Sequence, residues 1–298
     1  MKRIFYFNIN YGCNSNCVFC YSHNTRHNGQ SFREVSLDDF VEYLERNNIS
    51  KNDRVIINGG EPTLHSDFQN ILESVLKYNC EVLIYSNGRR LKNFDYSTLN
   101  SNYRFIIPVH GYKELHDSIT RVSGSFDDMK ESLDLFRSDN PCLVDLKFIL
   151  NAKMTENQIE LKKSLSALME LYFNNAIHIT QMAETPVSIK NNCEPVNKNC
   201  VGENIKVIFD FARKLNCPIK IFDTCVKYIN FEEYISSLNK DEELEVYFKD
   251  FSQERKLALH KINRCQNTGC LNKRYCLSAV DSYTSLEING NKVLVSLE

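Results

Sequence analysis

Three cysteines, Cys13, Cys17 and Cys20, fall in one short run, Cys13-Asn14-Ser15-Asn16-Cys17-Val18-Phe19-Cys20. Thiolates this close together in sequence are metal ligands by type, and a compact loop can set three of them on three corners of an iron–sulfur cubane. The fourth iron is then left without a protein ligand, and an open coordination position is what a catalytic metal centre needs. Zinc is the alternative, with His23 or His27 completing a knuckle. A second group, Cys265, Cys270 and Cys276, is spaced as a further metal site. Cys80, Cys142 and Cys217 sit at the edges of apolar runs, where a thiol is a good small core residue.

Such ligands need a frame. The chain has 298 residues, 42% hydrophobic and 25% charged, with a formal net charge of −2. These values suit a soluble globular enzyme and give no electrostatic reason to expect nucleic acid or an anionic membrane as partner. No apolar run reaches membrane-spanning length, and Asn8 and Asn10 interrupt the first apolar run too early for a signal peptide. The expected location is the cytoplasm. Twelve cysteines in that reducing compartment point to metal rather than disulfides.

Short apolar runs alternate with helical patterns over the first two-thirds of the chain, the signature of repeated βα units and a parallel sheet. Strands are expected at 4–10, 54–58, 81–86, 103–110, 142–150 and 176–182. Helices are expected near 37–47, 66–79, 90–100, 124–137, 156–173 and 203–216, the first capped by Ser36. Six units fit an open (β/α)6 partial barrel spanning residues 1–216. Alternation within 142–150 puts Val144, Leu146, Phe148 and Leu150 on a helix-facing side and turns Asp145 and Lys147 into the barrel. The same parity turns Asn8, Asn10, Asn58, His110, His178 and Thr180 inward. For His178 the expectation is a satisfied core histidine. Active sites in such barrels lie at the strand C-termini, the level of Asn10, Asn58, Ser86, His110, Lys147, Gln181 and Met182.

Residues 217–298 read as a smaller C-terminal domain. A strand is expected at 218–222, and the charged, amphipathic stretch 231–262 reads as helical. Asn289-Gly290 between two β-type runs predicts a terminal hairpin. Residues 183–202 read as a polar loop at the barrel mouth.

The cysteine run, C-x3-C-x-aromatic-C after the first strand, resembles the signature of the radical S-adenosylmethionine (SAM) superfamily. Gly59-Gly60-Glu61-Pro62 is similar to the family's Gly-Gly-Glu-Pro motif, and Tyr85-Ser86-Asn87-Gly88 to its Thr-Asn-Gly turn. The stretch from Val109-His110-Gly111 through His116-Asp117-Ser118-Ile119-Thr120-Arg121 to Gly124-Ser125-Phe126 resembles the fourth βα unit of many peptide- and cofactor-modifying members. The resemblance covers about residues 1–216. It implies a [4Fe-4S] cluster on Cys13, Cys17 and Cys20 that binds SAM and cleaves it to a 5′-deoxyadenosyl radical. It further implies an electron donor such as flavodoxin or ferredoxin. Phe19 takes the place of the aromatic residue beside adenine, and Glu61 is placed against the methionine amino group. Gly59, Gly60, Pro62, Ser86, Asn87, His110, Gln181 and Met182 join the cofactor contacts.

The later cysteines resemble the auxiliary-cluster domain, twitch or SPASM-like, of some members. This implies a second [4Fe-4S] cluster on Cys265, Cys270 and Cys276 with Cys225 as fourth ligand; a zinc site is the alternative. Lys147, His110 and Cys193 are the candidates for catalytic work, with Cys193 or Cys200 as a hydrogen-atom donor. The expected substrate is a peptide under maturation, the alternative a small molecule such as an aminoglycoside, nucleoside or cofactor precursor, and the expected state a monomer.

Overall fold

Phe5, Phe7 and Ile9 are fully buried, and alternate along the first strand with Tyr6, Asn8 and Asn10. This two-residue period fixes which side of the sheet meets the helices. The computed structural model describes residues 2–20 and 33–136, most of 140–194 and part of 204–217. Beyond these it describes only the strands 219–221, 244–250, 253–258, 283–288 and 291–296. In chain order the elements are β1 (Lys2–Asn8), α1 (Leu37–Arg46), β2 (Arg54–Asn58), α2 (Phe68–Val75), β3 (Glu81–Tyr85) and β4 (Tyr103–Val109). Next come α3 (Lys113–Thr120), α4 (Ser125–Asp134), β5 (Leu143–Leu150), α5 (Gln158–Glu170), β6 (Ile177–Gln181) and α6 (Pro186–Lys190). Five strands follow: β7 (Ile219–Ile221), β8 (Leu244–Asp250), β9 (Gln253–Ala258), β10 (Tyr283–Ile288) and β11 (Asn291–Ser296).

β1 to β6 lie side by side in sequence order, all parallel, and the sheet stays open. β7 extends it beyond β6, and β8 pairs in parallel with the outer edge of β1. β9 folds back antiparallel on β8 as the edge strand, and its sequence carries Glu254, Arg255 and Lys256, charges of the kind that discourage strand addition. β10 and β11 pair antiparallel with Ile288 opposite Asn291, leaving Asn289-Gly290 as a two-residue link. Among the described residues no helix is long and apolar enough to cross a membrane.

The core lies between sheet and helices. Val144, Leu146, Phe148 and Leu150 join Val55, Ile57, Val82, Ile84, Phe105 and Ile107 there. Ser36 caps α1, its hydroxyl accepting from the Asp39 amide at 3.1 Å.

Three expectations are corrected. The stretch 90–100 is not a helix but one 3-10 turn at Leu91–Asn93. Asp95 and Asn100 bind the amides two residues on, of Ser97 and Asn102, and these local bonds compete with helix formation. α3 was not anticipated; Tyr112 at its start supplies no capping side chain, and Arg121 ends it in the left-handed region at φ 57. The helical reading of 231–262 fails at 244–258, where β8 and β9 are strands. There Leu244, Val246 and Phe248 alternate with Glu245, Tyr247 and Lys249, and the two-residue period prevails over the charge content.

Candidate active site

The parallel ladder between β1 and β2 does not stop where the strands end. The Ile9 amide donates to the Asn58 carbonyl at 2.9 Å, Gly60 to Asn10 at 2.9 Å, and Glu61 to Gly12 at 2.7 Å. The Gly59-Gly60-Glu61 turn thus runs edge to edge with the entry of the cysteine loop. A Cβ at Gly59 would come within 2.4 Å of Asn10 Oδ1, and one at Gly60 within 2.3 Å of the Gly12 carbonyl. Real Cβ atoms do not approach so closely, so only glycine allows this contact.

Glu61 is buried and its carboxylate is fully occupied by protein donors. Oε1 accepts from the Thr63 amide at 3.1 Å, the Thr63 hydroxyl at 2.6 Å and the Ser86 hydroxyl at 2.8 Å; Oε2 accepts from the Asn87 amide at 2.6 Å. Burial raises its pKa, and the hydrogen bonds oppose that rise without cancelling it. In this structure the side chain staples the loop after β2 to the turn after β3. Pro62 opens the short 3-10 turn that follows.

The turn after β3 in turn grips the cysteine loop. Asn87 Nδ2 donates to Asn14 Oδ1 at 2.7 Å, and Arg89 Nη1 to the Asn14 carbonyl at 2.8 Å. The far side of the loop is held by α3, with the Asn16 and Val18 amides donating to the Thr120 and Ile119 carbonyls, each at 2.9 Å. Asn191, just after α6, donates to the Val18 carbonyl at 2.7 Å. Asp117 explains part of the Asp117–Phe126 motif: its carboxylate accepts from the Gly124 and Phe126 amides and the Ser125 hydroxyl, capping α4 from the preceding helix. Those bonds hold its pKa low although burial works the other way.

Cys13, Cys17 and Cys20 are all half-buried and free of disulfides, and the Ser15 amide donates to Cys13 Sγ at 3.4 Å. Among the described residues no three His, Cys, Asp or Glu side chains gather round one point as a single ion would require. His110 follows β4, edge-on to Phe19 at 5.2 Å between ring centres and stacked on His116 at 5.2 Å. Burial, then the charges of His116 and Lys147, depress the His110 pKa, so the ring is neutral. Among the described residues its Nδ1 has no hydrogen-bond partner, and neither has Asn10 Oδ1, whose Nδ2 donates to the Glu61 carbonyl at 2.8 Å. Both residues are nearly fully buried. Buried polar atoms without partners are rare in folded proteins.

Deeper on the same face, Lys147 lies 5.5 Å over the Tyr85 ring, and Asn58 donates to the Tyr6 hydroxyl. Asp145 is paired to His178 at 2.5 Å and accepts from the Ala176 amide at 3.0 Å, so His178 is a satisfied core histidine. Cys193, expected on a polar loop, is buried instead, 3.6 Å from the Met182 sulfur and clustered with Val18 and Ile119. Burial raises its pKa. Met182 is buried beside it. Gln181 pairs through its backbone with Leu150, and Thr180 is buried on the strand before it. Cys200, Cys225, Cys265, Cys270, Cys276, His23 and His27 lie outside the described residues. A cavity of about 410 Å³ between Leu168, Phe173 and Leu215 holds none of the candidate residues. Arg89 went unnoticed in the sequence, since its partner Asn14 is 75 positions away.

The donor set fits a cluster that carries a chelated ligand. Three thiols share one braced loop, two glycines clear its flank, and two buried polar atoms beside it lack partners among the described residues. Residues 7–145 match the family model described as the radical SAM superfamily. Over 171 residues the chain is 25% identical to a probable GTP 3′,8-cyclase of Thermoplasma volcanium, covering 55% of this chain and 51% of that one. Over 167 residues it is 27% identical to the mycofactocin maturase MftC of Mycolicibacterium smegmatis, covering 55% and 41%. The chain therefore spans about half the length of the curated relatives it matches. Its fold is similar to that of Streptococcus suis SuiB bound to precursor peptide SuiA, with a TM-score of 0.58 at 13% identity, over 82% of this chain and 57% of that one.

Proposed function

We propose that this chain, whose residues 7–145 match the radical SAM superfamily model, is a radical SAM enzyme that cleaves SAM reductively and takes a hydrogen atom from an unactivated carbon of a peptide. The observation that carries this reading is the brace at the sheet's C-terminal rim, where the cysteine loop, Gly59-Gly60-Glu61 and Ser86-Asn87 are hydrogen-bonded into one unit. When bound, the cluster and SAM supply the electron and the 5′-deoxyadenosyl radical. Cys13, Cys17 and Cys20 would hold the cluster. Glu61 keeps two loops in register, and Phe19 packed on neutral His110 gives an apolar wall with one ring nitrogen that no described residue partners. Lys147 and Tyr85 line the lumen beneath, where a substrate would enter from the open side of the sheet.

The peptide preference rests on the resemblance of the fourth βα unit and of the later cysteines, and on likeness to a maturase and to a peptide-bound neighbour. The likeness to a probable GTP cyclase favours a small-molecule substrate as the second reading. Cys225, Cys265, Cys270 and Cys276 belong to the proposal as ligands of an auxiliary cluster in residues 217–298. Anaerobically reconstituted protein with dithionite should convert SAM to 5′-deoxyadenosine and methionine. It should carry about eight irons, and about four after Cys13, Cys17 and Cys20 are all replaced by Ala. That triple variant should release no 5′-deoxyadenosine above background; cleavage that survives it overturns the assignment. A SAM-bound crystal structure with a closed pocket sized for a nucleoside would decide for the small molecule.

A further inference from the structure

Arg89 directly follows the Ser86-Asn87-Gly88 turn and is well covered, its side chain 14% exposed. Its guanidinium is divided between two tasks. Nε and Nη2 hold Asp128 Oδ2 of α4 at 3.1 and 2.8 Å, while Nη1 donates to the Asn14 carbonyl at 2.8 Å. That carbonyl belongs to the Asn14–Ser15 peptide group, and the N–H of the same group donates to Cys13 Sγ at 3.4 Å. One planar peptide unit therefore carries a cation on its oxygen and a ligand sulfur on its hydrogen.

We propose that Arg89 is a positioning residue that raises the electron affinity of the cluster held by Cys13, Cys17 and Cys20, acting through the Asn14–Ser15 peptide. The inference rests on the function proposed above. Hydrogen bonds in series polarise one another, so a charged donor on the carbonyl strengthens the N–H bond to sulfur. Hydrogen bonds to ligand sulfurs and nearby charge are among the determinants of cluster potentials. Reduction adds one negative charge to the cluster, and a firmer N–H donor at Cys13 favours the reduced form. Asp128, 45% exposed, offsets the guanidinium charge only in part because solvent screens it. A lysine could keep the charge but not divide its donors between carboxylate and carbonyl in this planar way.

The test is an EPR-monitored anaerobic redox titration with dithionite, without SAM, alongside iron counts, on wild type, R89M, R89K and D128N. At the wild-type midpoint R89M should show a reduced-to-oxidised ratio about three- to tenfold lower, tenfold being about 59 mV for a one-electron couple. D128N should move the ratio the other way, by roughly twofold, since its removal uncovers the cation. Loss of the brace alone would lower iron content in both variants without moving the potentials apart. Shifts of the same sign, or none at matched iron content, overturn the proposal. If R89M fails to hold iron, R89K and D128N decide: R89K lowered relative to wild type with D128N raised supports it, and D128N unmoved overturns it. A wild type that takes up no iron defeats the proposed function itself, whereas intact wild-type cleavage with unmoved variants defeats only this inference.

Discussion

His110 and His178 face the same lumen at two heights, and they are satisfied differently. Lys147 on β5 stands opposite His178 on one side and Pro108 on the other, so His178 lies two residues below His110. At the lower level Asp145 binds His178 and the Ala176 amide, with Arg104 Nη1 at 3.7 Å. At the upper level His110 Nδ1 and Asn10 Oδ1 have no partner among the described residues. Among the described residues, Arg104 Nε and Asn8 Oδ1 are the exceptions below. The histidine at the base is held by a buried carboxylate, whereas the histidine at the rim keeps a nitrogen unused by the described residues.

The strongest way to break this contrast is at the rim's closest packing. Gly60→Ala places a Cβ against the Gly12 and Tyr11 carbonyls, and should lower cluster loading and SAM cleavage to near background while far-UV circular dichroism stays close to wild type. At the base, Asp145→Ala leaves His178 and Arg104 without their carboxylate. Its cost should be about 3–5 kcal/mol of unfolding free energy, read by urea denaturation, with SAM affinity of the folded, reconstituted fraction unchanged.

Acid sharpens the contrast further. Burial lowers the His116 pKa from 6.5 to about 4, outweighing the upward pull of Asp117. Below pH 6.5 the unfolded chain thus binds the proton that the folded one refuses. The stability contributed by neutral His116 is fully present above pH 6.5 and is lost as pH falls toward about 4. Going from pH 6.5 to pH 5 should cost about 1.5 kcal/mol for this group. Urea midpoints of wild type should fall over that interval, and those of His116→Phe should fall less; equal slopes would remove His116 as the cause. The smallest effect belongs to His110→Phe. It removes an unsatisfied buried nitrogen, so stability should change by no more than about 1 kcal/mol, while SAM or substrate binding weakens about three- to tenfold by calorimetry. A stability loss like that of Asp145→Ala would erase the distinction between the levels.

What could be read from the residues followed the range of each interaction. Alternation is local, so β1 to β6, the inward set from Asn10 to Thr180 and the satisfied His178 were all legible. The Asn289-Gly290 link was legible for the same reason. Glu61's grip on Ser86 and Asn87, the burial of Cys193 and Arg89's hold on Asn14 depend on loops distant in sequence meeting at the rim, and no local period encodes them. β8 was missed because Glu245, Lys249 and Asp250 look like a solvated helix face, when the strand's real partner is β1. α3 was missed because its eight residues offer only Leu115 and Ile119 as aliphatic markers.

The pairing of β8 with β1 has a consequence for how the chain comes into being. Lys2 stands opposite Leu244 and Asn8 opposite Asp250, so β1 leaves the ribosome more than two hundred residues ahead of its outer neighbour. Synthesis runs at about 5–20 residues per second, which leaves that edge uncovered for tens of seconds at the slower rate. β1 can pair early with β2 on its inner side, but its outer backbone groups meanwhile offer a template to any passing strand. Closing so long a loop also delays the last strand pairs relative to the βα units, whose contacts are local. Expression that is slow or cut short before residue 244 should therefore yield aggregates nucleated at the very strand that introduces the cysteine loop.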